Sequence, residues 1–297
     1  MTETLTAPFT AVTDNSVSFQ RYYEEAGPDY AAWSANFNMH FGFYRWGMNP
    51  LFRESMLEQM NQEVLRRLRL APGGSPRILD MGCGLAATLL SIAKSHPDAD
   101  LHGITLVPWQ LEHGRALNQS SASTARMQIS LGDYERTGFR ASSFDAVYAL
   151  ESSCYAHGAN KSAFLQEAHR ILRPGGRFVV ADGFLGPGKL RGPQKRICRI
   201  LCDCWAIETL GEIEAFSREI ERIGFRDIVV EQVQACVTPS VFHVPWVTLK
   251  FLLTDVVFGK RKMTRARWNN VVAPLLLPFV GYPIGPMAYY IVSATRI

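Results

Sequence analysis

Short apolar runs alternate with amphipathic stretches along most of the chain beyond residue 77. Apolar runs bounded by Gly, Pro or Asp predict strands at residues 78–80, 101–105, 127–131, 144–150, 177–182, 228–237 and 287–295. Between the first five strands, apolar residues with helical spacing predict helices at 87–93, 108–118 and 164–172. Strands that alternate with helices in this way predict an α/β fold, with a doubly wound, mostly parallel sheet of seven strands.

An aromatic and helical region precedes these strands. Between Tyr22 and Trp46 the chain holds nine aromatic residues, far above its average of 11%. Residues 52–68 then place an apolar residue at every fourth position, which predicts an amphipathic helix that ends before the Pro-Gly-Gly sequence at 72–74. We predict a flexible N-terminus at 1–18, a helical aromatic lid at 19–74, and a main domain at 75–297 with helical insertions at about 184–224 and 240–284. Within the insertions, helices are predicted at 194–222, 245–258 and 264–279.

Composition restricts the class of protein. A hydrophobic content of 47%, a charged content of 20% and a net charge of +4 describe an ordinary globular chain and give no argument for nucleic-acid binding. The six cysteines form no secreted framework and no leader segment precedes them, so we expect a cytoplasmic protein. Cys198, Cys202 and Cys204 fit no usual zinc spacing, and we expect no metal. The longest apolar run, 241–258, contains four polar or proline interruptions, so we expect at most a peripheral membrane contact.

The stretch around Asp80 carries the main candidate chemistry. A short strand there ends in an acid, a turn with Gly82 and Gly84 follows, and a helix begins at Ala87. Any tight turn between strand and helix uses glycines, and a dinucleotide would also bind at such a turn. However, a dinucleotide fingerprint has a third glycine, where this chain has Ala86. A carboxylate at residue 80 repels a pyrophosphate and attracts an ammonium group, which S-adenosylmethionine (SAM) carries.

These residues resemble motif I of the class I SAM-dependent methyltransferases. Three further segments resemble later motifs of the same family: 103–106 with Gln110, the Gly-Asp-Tyr turn at 132–134, and the Leu-Arg-Pro-Gly-Gly turn at 172–176. The resemblance implies the Rossmann-like methyltransferase fold, with SAM as cofactor. It implies cofactor-binding roles for Asp80, Gly82, Cys83, Gly84, Thr105, Leu106, Gln110, Gly132, Asp133, Tyr134 and Glu151.

A narrower resemblance concerns the acceptor. Residues 148–156, Tyr-Ala-Leu-Glu-Ser-Ser-Cys-Tyr-Ala, resemble the IEATCHA segment of sterol C-methyltransferases, and prenyl-diphosphate and tocopherol methyltransferases carry a related Glu-Ser. Segments 40–43 and 285–290 resemble counterparts in the same group. The resemblance implies catalytic roles for Glu151, His157 and Tyr155. It implies a substrate pocket that contains Tyr22, Trp33, Phe37, His40, Phe41, Tyr44, Cys154 and Trp246.

The acceptor implied by this group is a hydrophobic, isoprenoid-like small molecule of natural-product biosynthesis. Methylation at an alkene carbon leaves a carbocation, which aromatic faces stabilise before a base removes a proton. Methylation at oxygen or nitrogen of another natural-product scaffold is the alternative, with Glu151 or His157 as base. A third hypothesis is a SAM-binding protein without chemistry that serves as a partner or membrane-docking module. Whether the protein self-associates stays open.

Two basic clusters complete the sequence pattern. Neither is interrupted by an acid, and each would suit a prenyl diphosphate, an anionic membrane surface beside Trp246, Leu249 and Leu253, or simply a solvated face. They consist of Lys189, Arg191, Lys195, Arg196 and Arg199, and of Lys260, Arg261, Lys262, Arg265 and Arg267.

Overall fold

A computed structural model describes residues 14–71, 73–120, 126–188, 190–259, 262–281 and 283–297. The described strands are β1 Arg77–Met81, β2 Asp100–Thr105, β3 Arg126–Leu131, β4 Phe144–Leu150, β5 Leu172–Leu185, β6 Phe225–Gln232 and β7 Met287–Arg296. They form one seven-stranded sheet of order β3-β2-β1-β4-β5-β7-β6. Strands β1 to β5 are parallel, and β7 inserts antiparallel between β5 and β6. The predicted fold class is confirmed.

Helices cover both faces of this sheet. The described α-helices are α1 Asp14–Ala26, α2 Tyr30–Trp33, α3 Arg53–Leu68, α4 Ala87–Ser95, α5 Pro108–Ser120, α6 Ser162–Ile171, α7 Gly192–Cys204, α8 Ile213–Ile223, α9 Gln234–Val241, α10 Val244–Phe251 and α11 Arg265–Val280. Side chains from α3 and α4 form a core on one face of the sheet, and side chains from α6 and α8 form a core on the other. The switch in strand order lies between β1 and β4, where doubly wound folds bind their ligands.

Three predicted elements differ from the structure. A helix begins at Asp14, inside the segment predicted to be flexible, while residues 1–13 lie outside the described residues. The helix predicted at 194–222 is two helices, α7 and α8. The strand predicted to reach residue 237 ends at Gln232, and the apolar residues that follow belong to α9. A short apolar run fits a strand and a buried helix equally well, which explains the last error.

Helix α9 lengthens the helical segment that contains the apolar run near residue 250. Together with α10 and a π-helical turn at Leu252–Phe258, α9 forms a segment of 25 residues, Gln234–Phe258. By length and composition alone this segment is long and apolar enough to cross a membrane, which is weak evidence by itself. Its first residue is tied to the sheet, because β6 ends just before the segment and the Gln234 side chain accepts a hydrogen bond from the Tyr289 N–H of β7 (3.0 Å).

The lid is fastened to the C-terminal helices by polar contacts. The guanidinium of Arg267 donates two hydrogen bonds to the carboxylate of Asp29, of 2.7 and 2.8 Å, and both residues are buried. The Tyr22 hydroxyl donates to Asn270 of α11 (2.9 Å), and the Gln20 side chain donates to the carbonyl of Leu106 beyond β2 (2.8 Å). These contacts hold α1 across the carboxyl ends of the strands.

The Arg267–Asp29 pair predicts a measurable loss of stability when one partner is removed. We expect Arg267→Gln to lower the free energy of unfolding by about 3–5 kcal/mol, because it removes the two charged hydrogen bonds that the buried Asp29 carboxylate receives from the guanidinium. Urea unfolding at neutral pH measures this loss. The matched control is Arg265→Gln, two residues earlier on the exposed side of α11. The double variant with Asp29→Asn should lose clearly less than the sum of the two single losses, and simple additivity would contradict the pairing.

Candidate active site

The turn after β1 brings a buried carboxylate next to glycine backbone. Asp80 is the fourth residue of β1 and is 3% exposed. Gly82 has φ +106°, and a Cβ there would lie 2.4 Å from the Cβ of Ser152. The N–H groups of Gly82 and Cys83 both donate to the carbonyl of Ile104 on the neighbouring strand (3.0 Å each). The glycine is therefore needed both for its backbone conformation and for the close approach of the loop after β4.

A cavity of about 880 Å³ opens at this turn, at the carboxyl ends of β1, β2, β3 and β4. Its lining contains all eleven residues that the sequence implied for cofactor binding, and we call it the cofactor cavity. They are Asp80, Gly82, Cys83, Gly84, Thr105, Leu106, Gln110, Gly132, Asp133, Tyr134 and Glu151. The parallel sheet explains this convergence, because the strand ends that carry these residues meet along one edge.

Burial dominates the electrostatics of the cofactor cavity. It raises the pKa of Asp80 to about 7, and the nearby Tyr148 hydroxyl offsets this rise only in part. Burial also raises the pKa of Asp133, whose side chain accepts the N–H of Glu135 (2.8 Å). Ionised carboxylates are costly here, so a bound cation that pairs with Asp80 would relieve an unfavourable state.

A neutral hydrogen-bonding pair lies at the end of β2, where dinucleotide-binding folds carry an acid. The hydroxyl of Thr105 donates to the side-chain oxygen of Gln110 (2.6 Å) and accepts the N–H of Val107 (3.2 Å). Both polar side chains are 4% exposed and line the cofactor cavity. Their remaining hydrogen-bonding capacity suits the hydroxyl groups of a ribose.

A second cavity, of about 550 Å³, lies under the lid and is predominantly apolar. We call it the acceptor cavity. Aromatic side chains from the lid, from the segment after α7 and from α10 form much of its wall, namely Tyr23, Tyr30, Trp33, Phe41, Trp205 and Phe251. The two cavities share five lining residues, which mark where they meet: Tyr23, Met39, His40, Glu151 and Tyr155.

Glu151 is the only carboxylate among these five shared residues. One of its oxygens accepts the N–H of Phe41 (2.7 Å) and the hydroxyl of Tyr289 (2.9 Å). Its backbone has φ +49°, a left-handed conformation that non-glycine residues adopt at a cost. Burial raises its pKa to about 8, and the nearby Asp182 carboxylate adds to the rise. Near neutral pH this side chain can both give up and take a proton.

Two further buried charges hold the loop after Glu151. Asp182 accepts the hydroxyl of Ser153 (2.7 Å) and the N–H of Cys154 (2.9 Å). The fully buried ammonium of Lys161 donates to the carbonyls of Cys154 (3.2 Å), Ala156 (2.7 Å) and Thr209 (2.7 Å). Neither group was singled out from the sequence, because an isolated Lys or Asp beside a loop gives no signal of its burial.

The other two predicted catalytic residues have different surroundings. Tyr155 lies between the cavities, with its hydroxyl 3.0 Å from that of Tyr23. His157 lies at the edge of the cofactor cavity and does not line the acceptor cavity. Its ring hydrogen-bonds to Glu135, which raises the pKa of the imidazole, and the side chain is 53% exposed. His157 thus lies on the cofactor side of the site, and its catalytic role stays a prediction.

The predicted substrate residues are only partly brought together. Trp33, His40, Phe41 and Cys154 line the acceptor cavity.

Four others do not. Phe37 lines the cofactor cavity instead, and Tyr22 and Tyr44 line neither. Trp246 is 67% exposed on the outer side of α10 and is also absent from the lining. Helical spacing puts Val244 and Val247, which line the cavity, on a different side of the helix from Trp246. That spacing could have indicated that Trp246 faces outward.

Neither basic cluster lines either cavity within the described part of the chain. Lys189, Lys260 and Arg261 lie outside the described residues. The exposed members are Arg191, Lys195, Arg196, Arg199, Lys262 and Arg265, and Arg267 is paired with Asp29. The residues that the structure describes contain no group of three or more His, Cys, Asp or Glu arranged to hold a metal ion.

Comparison with known proteins agrees with this geometry. Residues 78–176 match the family model of a methyltransferase domain. An O-methyltransferase of Pyrenophora dematioidea is 36% identical over 151 residues, which cover 50% of this chain and 55% of that protein. This chain spans about half the length of the first curated relatives that it matches.

Solved structures support the fold over nearly the whole chain. A cyclopropane synthase of Mycobacterium tuberculosis aligns with a TM-score of 0.79 at 15% identity and covers 95% of this chain and 98% of its own. A geranyl diphosphate C-methyltransferase of Streptomyces coelicolor A3(2) aligns with a TM-score of 0.72 at 14% identity and covers 96% and 99%. Residues 78–176 thus match a methyltransferase domain, and nearly the whole chain shares the fold of these solved structures.

Proposed function

We propose that the protein transfers a methyl group from SAM to a neutral, hydrophobic small molecule. The observation that carries the proposal is the meeting of the cofactor cavity and the more apolar acceptor cavity at Glu151. A methyl donor in the first and an acceptor in the second would have their reacting groups at that junction. Positioning of this kind supplies much of the rate increase, because the donor already carries an activated methyl group.

The residues of the cofactor cavity fit SAM. Asp80 would hold the ammonium group of its methionine part, and this pairing accounts for a carboxylate buried at the end of β1. Thr105 and Gln110 would bind the ribose hydroxyls, and Asp133 with Tyr134 would flank the adenine. SAM supplies the electrophilic methyl group on its positively charged sulfur.

The lining of the acceptor cavity favours a neutral acceptor over a prenyl diphosphate. Among the described residues, no Lys or Arg lines it, while the acids Asp29, Glu151 and Asp182 do. A diphosphate placed there would lack the guanidinium and ammonium donors that such groups need. An uncharged isoprenoid fits the apolar wall without this penalty.

Methylation at carbon is our first candidate reaction. The methyl group would bond to an alkene carbon, and the electron pair for this bond would come from the double bond, which leaves a carbocation. The aromatic faces of Tyr23, Tyr30 and Trp33 would stabilise that cation. Glu151 would then remove a neighbouring proton to restore a double bond.

Methylation at a hydroxyl oxygen is the second candidate, which the O-methyltransferase among the relatives favours. Here Glu151 would take the hydroxyl proton as the oxygen attacks the methyl group. Both reactions need an ionised Glu151 at the junction, so the protein's role is the same and only the nucleophile differs.

The raised pKa of Asp80 predicts that cofactor binding depends on pH. The ammonium of the cofactor pairs with the ionised form, and about half of Asp80 is protonated at pH 7 in the free protein. We expect the affinity for S-adenosylhomocysteine to rise about tenfold from pH 6 to pH 8, with proton release on binding. Calorimetry in two buffers of different ionisation enthalpy measures both quantities.

Asp80→Asn provides the matched control for this dependence. The variant should bind the cofactor at least tenfold more weakly at pH 8, because it loses a charged hydrogen-bonding partner. It should also remove most of the change in affinity between pH 6 and pH 8. A pH dependence that survives in the variant would assign the titration to another group.

The raised pKa of Glu151 predicts the pH profile of turnover. A base must be ionised, so at saturating SAM the rate should rise about tenfold per pH unit and level off near pH 8. Glu151→Gln should lower the rate at least 100-fold, because the amide accepts no proton. Tyr289→Phe removes a hydrogen bond that lowers the pKa of Glu151, so its profile should shift to higher pH. His157→Asn should leave the pH dependence of the rate unchanged. A shift of the profile in this variant would indicate that His157 is the base.

A screen with methyl-labelled SAM tests the acceptor class. We expect label to enter neutral isoprenoid alkenes, phenols or alcohols and not the corresponding prenyl diphosphates. The carbon shift of the labelled methyl group in the product distinguishes attachment to carbon from attachment to oxygen. Turnover confined to diphosphates would overturn the proposal of a neutral acceptor. A lack of cofactor binding would overturn the proposed methyltransferase activity.

A further inference from the structure

The helical segment 234–258 presents an apolar stripe to solvent. Five residues spaced by three or four positions form it, and their exposed fractions are unusually high for such side chains: Phe242 76%, Trp246 67%, Leu249 49%, Leu253 45% and Val257 61%. This spacing puts them on one side of the helix. The opposite side of the segment lines the acceptor cavity with Val244, Val247 and Phe251.

The neighbouring helix α11 repeats this arrangement. Trp268, Val272, Leu275 and Phe279 follow helical spacing and are 46%, 38%, 36% and 56% exposed. We call the two stripes together the outer helix face. A surface with this many exposed large apolar side chains is far from what a freely soluble monomer presents, so something covers it in use.

The stretch of chain that forms the outer helix face carries more basic than acidic residues. Residues 234–284 contain six Lys and Arg and a single acid, Asp255. Among them, Lys250 and Lys262 are exposed. Tryptophan and phenylalanine next to lysine are the residues that bind the headgroup region of anionic bilayers.

The acceptor cavity opens onto the same face. Phe242, Leu275 and Ile284 each line the cavity and are each exposed to solvent, the last by 69%. They therefore join the inner apolar wall to the outer helix face without a polar boundary. If the proposed function holds, an acceptor dissolved in a bilayer could reach Glu151 without crossing water.

We propose that the outer helix face binds the surface of an anionic lipid bilayer, with helices 234–258 and α11 lying along the headgroup region. The basic surroundings favour a bilayer over a second copy of the chain, because two such faces would repel each other. Segment 234–258 is tied to β7 at its first residue, and α11 is followed by a bridge between Gly281 and Met287 of β7, which favours a helix pair that lies on the membrane over one that crosses it.

Co-sedimentation with vesicles tests this binding on ligand-free protein, so the result does not depend on turnover. We expect binding to vesicles of phosphatidylcholine with 30% phosphatidylserine (about 3 in 10 lipids anionic), and much weaker binding to phosphatidylcholine alone. Trp246→Ser with Trp268→Ser should lower the affinity at least tenfold. Lys250→Gln with Lys262→Gln should lower it about thirtyfold on the anionic vesicles only, an effect that added salt should mimic.

Matched controls lie elsewhere on the surface. Val229→Ser on edge strand β6 and Arg218→Gln on α8 remove an exposed apolar group and an exposed charge away from the outer helix face, and each should leave the affinity within about twofold. Thermal unfolding and S-adenosylhomocysteine binding verify that each variant is folded.

Three outcomes would overturn the proposal. The first is wild-type protein that binds neither kind of vesicle. The second is an equal loss of binding in the control variants. The third is a lipid-free dimer, seen by light scattering, that the tryptophan variant converts to monomer, since the outer helix face would then be a subunit interface.

Discussion

The carboxyl group of Glu151 is the point on which the site depends, because it connects three parts of the chain that are far apart in sequence. Its own backbone belongs to the loop after β4, while the N–H of Phe41 comes from the lid and the Tyr289 hydroxyl comes from the last strand. A buried carboxyl group needs such partners, since an unpaired one would cost several kcal/mol or more. The lid is therefore held at the junction of the two cavities by the same bonds that orient the candidate base.

Burial makes the ionised forms of the carboxyl groups in this site unfavourable. Glu151 lies near Asp182 and its pKa rises to about 8, while Asp80 reaches about 7 on the opposite wall. Lys161 lies nearby but donates to backbone carbonyls, so it supports the loop more than it neutralises the acids. Protonation accommodates these acids in the free protein. A cation bound beside Asp80 would favour the ionised form of that acid.

The sequence predicted the cofactor side well for a physical reason. Motif residues such as Asp80 and Gly82 are adjacent in the chain and sit at strand ends, and a parallel sheet brings its strand ends to one edge whatever the details of packing. Thr105 and Asp133 could therefore be placed from the order of strands alone. The prediction needed no knowledge of how distant helices fold over the site.

The acceptor side depended on that knowledge and was only partly predicted. Tyr289 was not predicted as a site residue, because a tyrosine in a final strand normally packs in the core. Only the pairing of β7 with β5 brings its hydroxyl to Glu151. Trp246 was assigned to the substrate pocket from the resemblance and was also considered beside a membrane surface. It faces outward because α9 extends the helix and sets which side meets the cavity.

The distribution of charge separates the inside of this protein from its outside. Acids line the acceptor cavity, and the described basic residues of both clusters either lie on the surface or, like Arg267, are paired with an acid. Once Glu151 is ionised, such an interior would attract a cationic donor and repel an anionic acceptor. Specificity for an uncharged acceptor can thus arise from what the cavity excludes as much as from what it binds. The shape of the apolar wall then needs to select only among neutral molecules.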